Sequence, residues 1–144
     1  MGQDIVQKAD ISFNVISKNL YVFAFPEVDL IIGIGRGGIV PASLVAHQLH
    51  LNLKIIRVIH RDEQNQPKYD TPVFLDNFSA DIDPQARILL VDDVSVTGKT
   101  LELVKYKLRS NKVYTFVLKG KADLVLFPEI STCVNWPWKH DYDN

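Results

Sequence analysis

The sequence predicts an α/β fold in which a single-domain parallel β-sheet is flanked by helices and followed by a small C-terminal hood. Short aliphatic runs, such as ILLV at residues 88–91, are typical of strands buried on both faces. These runs alternate with segments of helical periodicity, which is the pattern of a parallel sheet. A chain of 144 residues has the size of one domain. We expect residues 1–144 to form that domain, with a core at about residues 1–119 and the hood at about residues 120–144.

The first half of the chain contains two predicted helices. Incomplete three- and four-residue spacing of apolar side chains predicts a helix over residues 5–20. The second helix, over residues 39–49, lies between strands predicted at residues 29–34 and 54–59, and its Pro41 is tolerated in the first turn.

A polar run, RDEQNQPKY at residues 61–69, then interrupts the alternation. A long polar loop in a compact domain is typical of a lid or a disordered segment. Residues 71–75 are expected to pair back as a short strand. The pattern resumes with a strand at residues 88–91, a helix at 97–109 and a strand at 113–118. The last part of the chain, rich in Pro and aromatic residues, predicts the irregular hood.

The stretch RILLVDDVSVTGKT at residues 87–100 carries the clearest chemistry. Asp92 and Asp93 follow the apolar run at the carboxyl end of its strand, where open α/β sheets bind ligands. The turn after them supplies hydroxyl groups and one position without a Cβ: Ser95, Thr97, Gly98 and Thr100. A turn that opens a helix offers unpaired N–H groups and a positive dipole end to an anion. Carboxylates suit a sugar diol, so the stretch predicts a phosphosugar site.

Two other phosphate-binding motifs match only in part. The GKT fragment at residues 98–100 is not a P-loop, because the glycine required five residues before Gly98 is replaced by Asp93. The glycines at residues 33–38 have the GxGxxG spacing of a dinucleotide-binding loop, and Asp62 or Glu63 is the acid nearest to the required distance. That dinucleotide alternative stays open at this point.

Residues 31–49, IIGIGRGGIVPASLVAHQL, and residues 87–100 carry a family resemblance. They resemble the pyrophosphate loop and the phosphoribosyl pyrophosphate (PRPP) motif of the type I phosphoribosyltransferases. Residues 123–138 are similar, without gaps, to the tail that forms the base pocket in the small purine enzymes of the xanthine-guanine or hypoxanthine type. The resemblance covers nearly the whole chain, and it implies the type I phosphoribosyltransferase fold.

The resemblance also implies three sets of site residues. The family's two acids hold the ribose hydroxyls and its loop wraps the 5′-phosphate, so PRPP is expected at Asp92, Asp93, Ser95, Val96, Thr97, Gly98, Lys99 and Thr100. The pyrophosphate-binding residues would be Gly35, Arg36 and Gly37, because a guanidinium meets a diphosphate in a planar, bidentate way. The base-binding residues would be Lys119, Leu124, Cys133 and Val134. Mg²⁺ is expected to be bound with PRPP, and Asp93 is a candidate metal contact.

The catalytic group is not identified by the resemblance. Val96 stands where the 6-oxopurine enzymes carry an aspartate, their proposed proton acceptor. His60 and Arg61 replace the lid's Ser-Tyr pair. If the loop closes, His60 would be a candidate for the acid–base group and Arg61 for neutralising the departing pyrophosphate. The alternative for both residues is an exposed loop.

The base pocket also departs from the family pattern. Leu124 and Cys133 replace the aromatic residues that sandwich the purine, and Ser131 replaces the metal-contacting aspartate of the tail. Trp136 and Trp138 are expected to pack beneath the hood, since large aromatic residues more often form core than ligand contacts.

Composition limits the partners and the compartment. A net charge of −1 without a basic stripe argues against nucleic acid. No apolar run approaches the eighteen or so residues of a membrane span, and no signal peptide is evident. The single cysteine excludes an internal disulfide framework and suits a reducing compartment, so a cytoplasmic location is expected. The family resemblance suggests a homo-oligomer, either a dimer or a tetramer.

The expected function is therefore purine salvage. The resemblance implies transfer of the 5-phosphoribosyl group from PRPP to a purine, with release of pyrophosphate. A cation at Lys119 would select a 6-oxopurine: guanine, xanthine or hypoxanthine. The alternative is a non-catalytic regulatory protein of the same fold that binds PRPP or a nucleotide, which Val96, Leu124 and Cys133 favour.

Overall fold

The computed structural model describes residues 8–59, 73–74 and 81–139. The elements in chain order are β1 (Ala9–Asp10), α1 (Phe13–Val22), β2 (Leu30–Gly35), α2 (Ile39–Leu49), β3 (Asn52–Ile59), β4 (Val73–Phe74), β5 (Arg87–Ser95), α3 (Lys99–Lys107), β6 (Lys112–Gly120), β7 (Leu124–Val125) and β8 (Val134–Asn135). The alternation of strands and helices confirms the predicted α/β class. The predicted lid at residues 61–69 lies outside the described residues, as do His60 and Arg61.

The main sheet has six strands in the order β4-β3-β2-β5-β6-β7. Its strands are parallel except β4, which pairs antiparallel with β3 and is the short strand predicted within residues 71–75. After β3 and β4 have been added on one side of β2, the chain returns to place β5 on the other side. Such a reversal opens a crevice beyond the carboxyl ends of the two central strands. That crevice lies between the ends of β2 and β5.

Helices cover both faces of the sheet because the central strands are apolar on both sides. The four residues at 88–91 in β5 are each 0% exposed. Leu89 and Val91 join the cluster beneath α1, α2 and the hood. Ile88 and Leu90 face α3, in which Leu101 and Val104 are buried at helical spacing, followed by the buried Leu108 at the C-cap.

The predicted helix over residues 5–20 is wrong at its beginning. Residues 9–10 instead form β1, which pairs in parallel with β8 of the hood. The helix α1 begins only after Ser12, whose Oγ accepts a hydrogen bond from the Val15 amide at 3.2 Å. Ser12 is a favourable N-cap, and the buried side chain of Ile11 anchors the turn before it. The long-range pairing with β8 overrides the weak helical periodicity of this segment.

The hood packs onto the sheet through aromatic residues. Trp136 is 3% exposed, and its ring stacks on that of Trp138 with 5.5 Å between centroids and 2° between planes. The ring of Phe13 on α1 lies 5.8 Å from that of Trp138. The two tryptophans therefore pack beneath the hood as expected, and they hold it against α1. None of the helices in the described part of the chain has the length and apolar character of a membrane span.

Candidate functional site

Two loops meet at the crevice between β2 and β5. The first loop leads from β2 into α2, and its Gly35–Arg36 peptide bond is cis. The amide of Gly38 donates a hydrogen bond to the Ile34 carbonyl oxygen at 2.7 Å, which closes the turn. A Cβ at Gly38 would lie 2.6 Å from the Val91 carbonyl oxygen. Only a glycine therefore lets this loop approach β5 so closely.

Asp93 is the point at which the second loop contacts the first. Asp93 is only 8% exposed, and its Oδ1 accepts a hydrogen bond from the Val94 amide at 2.7 Å. A Cβ at Gly37 would lie 2.5 Å from the same Oδ1. The Lys139 Nζ lies 3.4 Å from the other oxygen, Oδ2. The fold thus brings one predicted PRPP-binding acid directly against the predicted pyrophosphate loop.

Asp92 lies beside Asp93 in a half-buried position, and its Oδ1 accepts a hydrogen bond from the Asp93 amide at 2.8 Å. Burial, followed by the negative charge of Asp93, raises the pKa of Asp92 to about 8. The pair of acids is therefore more stable with one negative charge than with two. A ligand that brings a cation would favour the doubly ionised pair, whereas a diol can hydrogen-bond to either form.

The segment after the acids forms the turn that the sequence predicts. The strand β5 continues to Ser95, and α3 begins at Lys99, two residues later than expected. Gly98 precedes the helix with a φ of 84°, and the Thr97 Oγ1 accepts a hydrogen bond from the Lys99 amide at 3.3 Å. Val96 projects from the turn with 77% of its surface exposed. Hydroxyls and a helix N-terminus are thereby presented beside the acids, an arrangement suited to a phosphate.

Gly120 supports this turn, and the sequence reasoning missed it. Gly120 ends β6 with a φ of 115°. A Cβ there would overlap the Ser95 carbonyl oxygen, which also accepts a hydrogen bond from the Lys121 amide at 2.8 Å. The end of β6 thus fixes the end of β5. A glycine directly after Lys119 was the only signal in the sequence.

The four predicted base-binding residues do not share one environment. Lys119 is half-buried and lies in register with Val94 on β5. Leu124 and Val134 are partly buried and pack against the core cluster beneath α1 and α2. Cys133 is exposed, and its carbonyl oxygen accepts a hydrogen bond from the Ala9 amide at 2.8 Å. Their role in binding a base stays a prediction.

Lys139 is a second residue that sequence reasoning missed. Together with Arg36, Gly37 and Trp138 it lines a pocket of about 210 Å³ beside the first loop. The side chain of Lys139 is 42% exposed and lies next to an Asp93 side chain that is 11% exposed. A lone lysine after two tryptophans gave no sign that it would reach the central acids. Only the packing of the hood brings it there.

Mg²⁺ fits this site only with help from a ligand. Within residues 8–59, 73–74 and 81–139, no group of three or more His, Cys, Asp or Glu side chains is arranged to hold a metal ion. The neighbouring carboxylates of Asp92 and Asp93 do fit the one or two carboxylates that Mg²⁺ takes in phosphate sites. Water and phosphate oxygens of the ligand would complete the coordination.

The chain matches the model of the phosphoribosyl transferase domain over residues 4–134. The protein belongs to the phosphoribosyltransferase family. It is 27% identical to a xanthine-guanine phosphoribosyltransferase of Idiomarina loihiensis over 75% of this chain and 69% of that protein. It is also 31% identical to the transcriptional regulator GfcR of Methanococcoides burtonii, over 75% of this chain and 54% of the regulator.

Solved structures share this fold. A purine phosphoribosyltransferase from Pyrococcus horikoshii has a TM-score of 0.75 and 26% identity, covering 92% of this chain and 95% of that chain. A hypothetical protein from Neisseria gonorrhoeae with bound ppGpp shares the fold, with a TM-score of 0.72 and 21% identity over 98% of this chain and 94% of its own. The sequence-based assignment to the type I phosphoribosyltransferases, near their purine members, is confirmed.

Proposed function

We propose that this phosphoribosyltransferase transfers the 5-phosphoribosyl group of PRPP to a 6-oxopurine, releasing pyrophosphate, in cytoplasmic nucleotide salvage. The observation that carries the proposal is the contact between Asp93 and the backbone of Gly37. The contact supports a site in which Asp93 accepts hydrogen bonds from the sugar diol and the loop at Gly37 binds the diphosphate on the other side of the crevice. The anomeric carbon of PRPP lies between its diol and its diphosphate, so the reacting bond would be held between two anchors.

Each group in the crevice has a task in that reaction. A ring nitrogen of the base attacks the anomeric carbon while the bond from that carbon to pyrophosphate breaks. Asp92 and Asp93 accept hydrogen bonds from the diol, and the turn at residues 95–100 holds the 5′-phosphate. Arg36, between Gly35 and Gly37, stabilises the charge that grows on the leaving diphosphate. Mg²⁺, when bound with PRPP, neutralises part of that charge.

Proton removal from the base has no acid–base side chain at position 96. Val96 has no group that accepts a proton, and a positioned acid–base group typically contributes about a hundred- to ten-thousand-fold in rate. Val96 is 77% exposed, so this position is accessible to water. We therefore expect slow transfer in which water takes the proton, unless His60 replaces the missing acid.

Lys119 sets the choice of base in this proposal. Its ammonium donates to the 6-oxygen of guanine, xanthine or hypoxanthine, whereas the 6-amino group of adenine offers it no acceptor. The identity to a xanthine-guanine enzyme supports this preference. The family resemblance supports assembly as a dimer or tetramer.

The direct test measures pyrophosphate release from PRPP with Mg²⁺ across guanine, xanthine, hypoxanthine, adenine, uracil and orotate. We expect slow release with one or more 6-oxopurines. Asp92→Asn with Asp93→Asn should abolish PRPP binding, while the protein still unfolds in a single cooperative thermal transition. Val96→Asp should raise the rate about tenfold or more. Undiminished PRPP binding by the double variant would contradict the assigned site.

A regulatory function is the second candidate, and Val96 in place of an acid is the observation that favours it. One relative of this chain is a transcriptional regulator. Regulation would show as PRPP or nucleotide binding without pyrophosphate release for any of the six bases. Calorimetry on the preparation used for the release assay distinguishes the two functions.

A further inference from the structure

We infer that Lys139 is a ligand-binding residue whose ammonium group bridges the Asp93 carboxylate and a diphosphate held by Arg36. The bridge would do part of the work that a metal ion does in other diphosphate sites. This inference rests on the proposed function, because it takes the pocket beside Arg36 as the place of the diphosphate.

The pocket has the shape and charge for such a group. Arg36, Gly37, Trp138 and Lys139 line about 210 Å³, several times the space that one water molecule takes. A guanidinium and an ammonium both contribute to this lining. Two cations that line one open pocket favour a compact polyanion over a neutral ligand.

The ammonium group of Lys139 retains donors for a second partner. Its Nζ lies 3.4 Å from Asp93 Oδ2, and the lysine side chain is 42% exposed. An ammonium carries three N–H donors in different directions. A single carboxylate oxygen at this distance uses no more than one of them, so the others remain for phosphate oxygens in the pocket.

A cation is needed at this position for electrostatic reasons. The Asp93 carboxylate lies against Gly37, so a diphosphate in the loop would come close to an anion that is 8% exposed. Divalent metal ions commonly relieve such repulsion. Here Ser131 stands where the resemblance implies a metal-contacting acid, and no cluster of three metal-ligating side chains occurs among residues 8–59, 73–74 and 81–139. Lys139 supplies a positive charge that is part of the chain.

The hood holds Lys139 in place. Its amide donates a hydrogen bond to the Trp136 carbonyl oxygen at 3.0 Å, which closes a turn. Trp136 is 3% exposed and stacks on Trp138, whose ring also contacts Phe13 of α1. The backbone that carries Lys139 is therefore tied to the core. Lys139 lies five residues beyond the end of the family match at residue 134.

The test is a calorimetric titration with inorganic pyrophosphate, in EDTA and in Mg²⁺. In EDTA we expect Lys139→Met to weaken pyrophosphate binding about ten- to a hundredfold, which corresponds to the loss of one charge-assisted hydrogen bond. Lys139→Arg should retain most of the affinity, because the charge is kept. In Mg²⁺ the loss should be smaller, because the metal ion substitutes for the ammonium. Lys112→Met removes the same charge at the amino end of β6 and should change nothing.

Two outcomes overturn the inference: equal affinity of the wild type and Lys139→Met in EDTA, or no metal-free binding by the wild type. Thermal unfolding of each variant checks the fold, and Lys139→Gln repeats the measurement if methionine at this exposed position impairs folding. The proposed transferase is judged separately, by PRPP binding and pyrophosphate release by the wild type in Mg²⁺. Failure of the ammonium bridge leaves that assay positive, whereas failure of the proposed function makes it negative.

Discussion

The backbone of Gly37 lies directly against the carboxylate of Asp93, so that a Cβ on Gly37 would come within 2.5 Å of Oδ1 and 2.8 Å of Cγ. This contact joins the loop after β2 to the end of β5. The Asp93 Oδ1 also accepts a hydrogen bond from the Val94 amide at 2.7 Å, which orients the carboxylate towards the loop. The site thus requires a residue without a side chain at position 37.

Replacing Gly37 tests the importance of that contact. Gly37→Ala should push the Asp93 carboxylate out of place and weaken PRPP binding about tenfold or more, because positions in a preorganised site tolerate little displacement. Gly35→Ala is the comparison in the same pyrophosphate-binding loop. Its Cβ would lie 3.3 Å from Cγ2 of Ile55 and 3.4 Å from the Ile56 carbonyl oxygen, so a smaller displacement would accommodate it and its loss of binding should be smaller. Isothermal titration with PRPP measures both, and equal losses would contradict the special role of Gly37.

The acid pair should make stability depend on pH. Because the pKa of Asp92 is raised to about 8, the folded protein retains a proton that the unfolded chain releases near pH 4. The folded state binds more protons between these values, so this group lowers the free energy of unfolding as pH rises from about 4 to about 8. Asp92→Asn should remove that slope.

Urea unfolding at pH 5 and pH 8 measures this pH dependence of the free energy of unfolding. The wild type should lose more stability over this interval than the variant does. The comparison cancels groups that titrate equally in both proteins, so parallel pH dependence would show that Asp92 titrates normally.

Gly120 and Gly98 form a matched pair for the turn that follows the acids. Both have a positive φ, at 115° and 84°. A Cβ at Gly120 would overlap the Ser95 carbonyl oxygen, whereas one at Gly98 would meet nothing within 4 Å. Gly98→Ala should therefore cost only backbone strain, about 1 kcal/mol, and Gly120→Ala should cost about 3 kcal/mol or more. Chemical denaturation measures both free energies of unfolding, and a smaller loss for Gly120→Ala would contradict the steric account.

Arg87 and Asp29 tie the amino ends of the two central strands together. The guanidinium donates from Nε and an Nη to the two carboxylate oxygens, each at 2.9 Å. These hydrogen bonds lower the pKa of Asp29 to about 2. Since the folded pKa is depressed, the stabilisation is present above about pH 4 and is lost as pH falls towards 2.

Asp29→Asn should accordingly lower the urea midpoint at pH 7. The difference from the wild type should shrink as pH falls from 5 to 2.5. Glu27→Gln is the control, because Glu27 lies 3.4 Å from the same guanidinium and its side chain is 86% exposed. Exposed ion pairs contribute little, so its effect should be near zero. A constant deficit of Asp29→Asn across this pH range would show that the charge of Asp29 is not what stabilises the strands.

Local sequence determined the fold class, the α2 boundaries and the place of the two loops. Residues 88–91 had to be a strand, because a run of aliphatic side chains that are apolar on both faces satisfies its environment only inside a parallel sheet. The order of Asp92, Asp93 and the Thr-Gly turn then fixed what lies at that strand's carboxyl end. These features depend on neighbours in the chain, so a pattern could indicate them.

Contacts between distant segments were decided only by the tertiary structure. Residues 9–10 became a strand because β8 was there to pair with them, and Lys139 reached Asp93 because two tryptophans seated the hood. Gly120 must lack a Cβ because the Ser95 carbonyl oxygen of the neighbouring strand occupies that space. Hydrogen bonds and packing between residues far apart in sequence leave no periodic trace in either segment. The sequence therefore determined what each loop offers to a ligand, and the tertiary packing decided which groups face one another across the crevice.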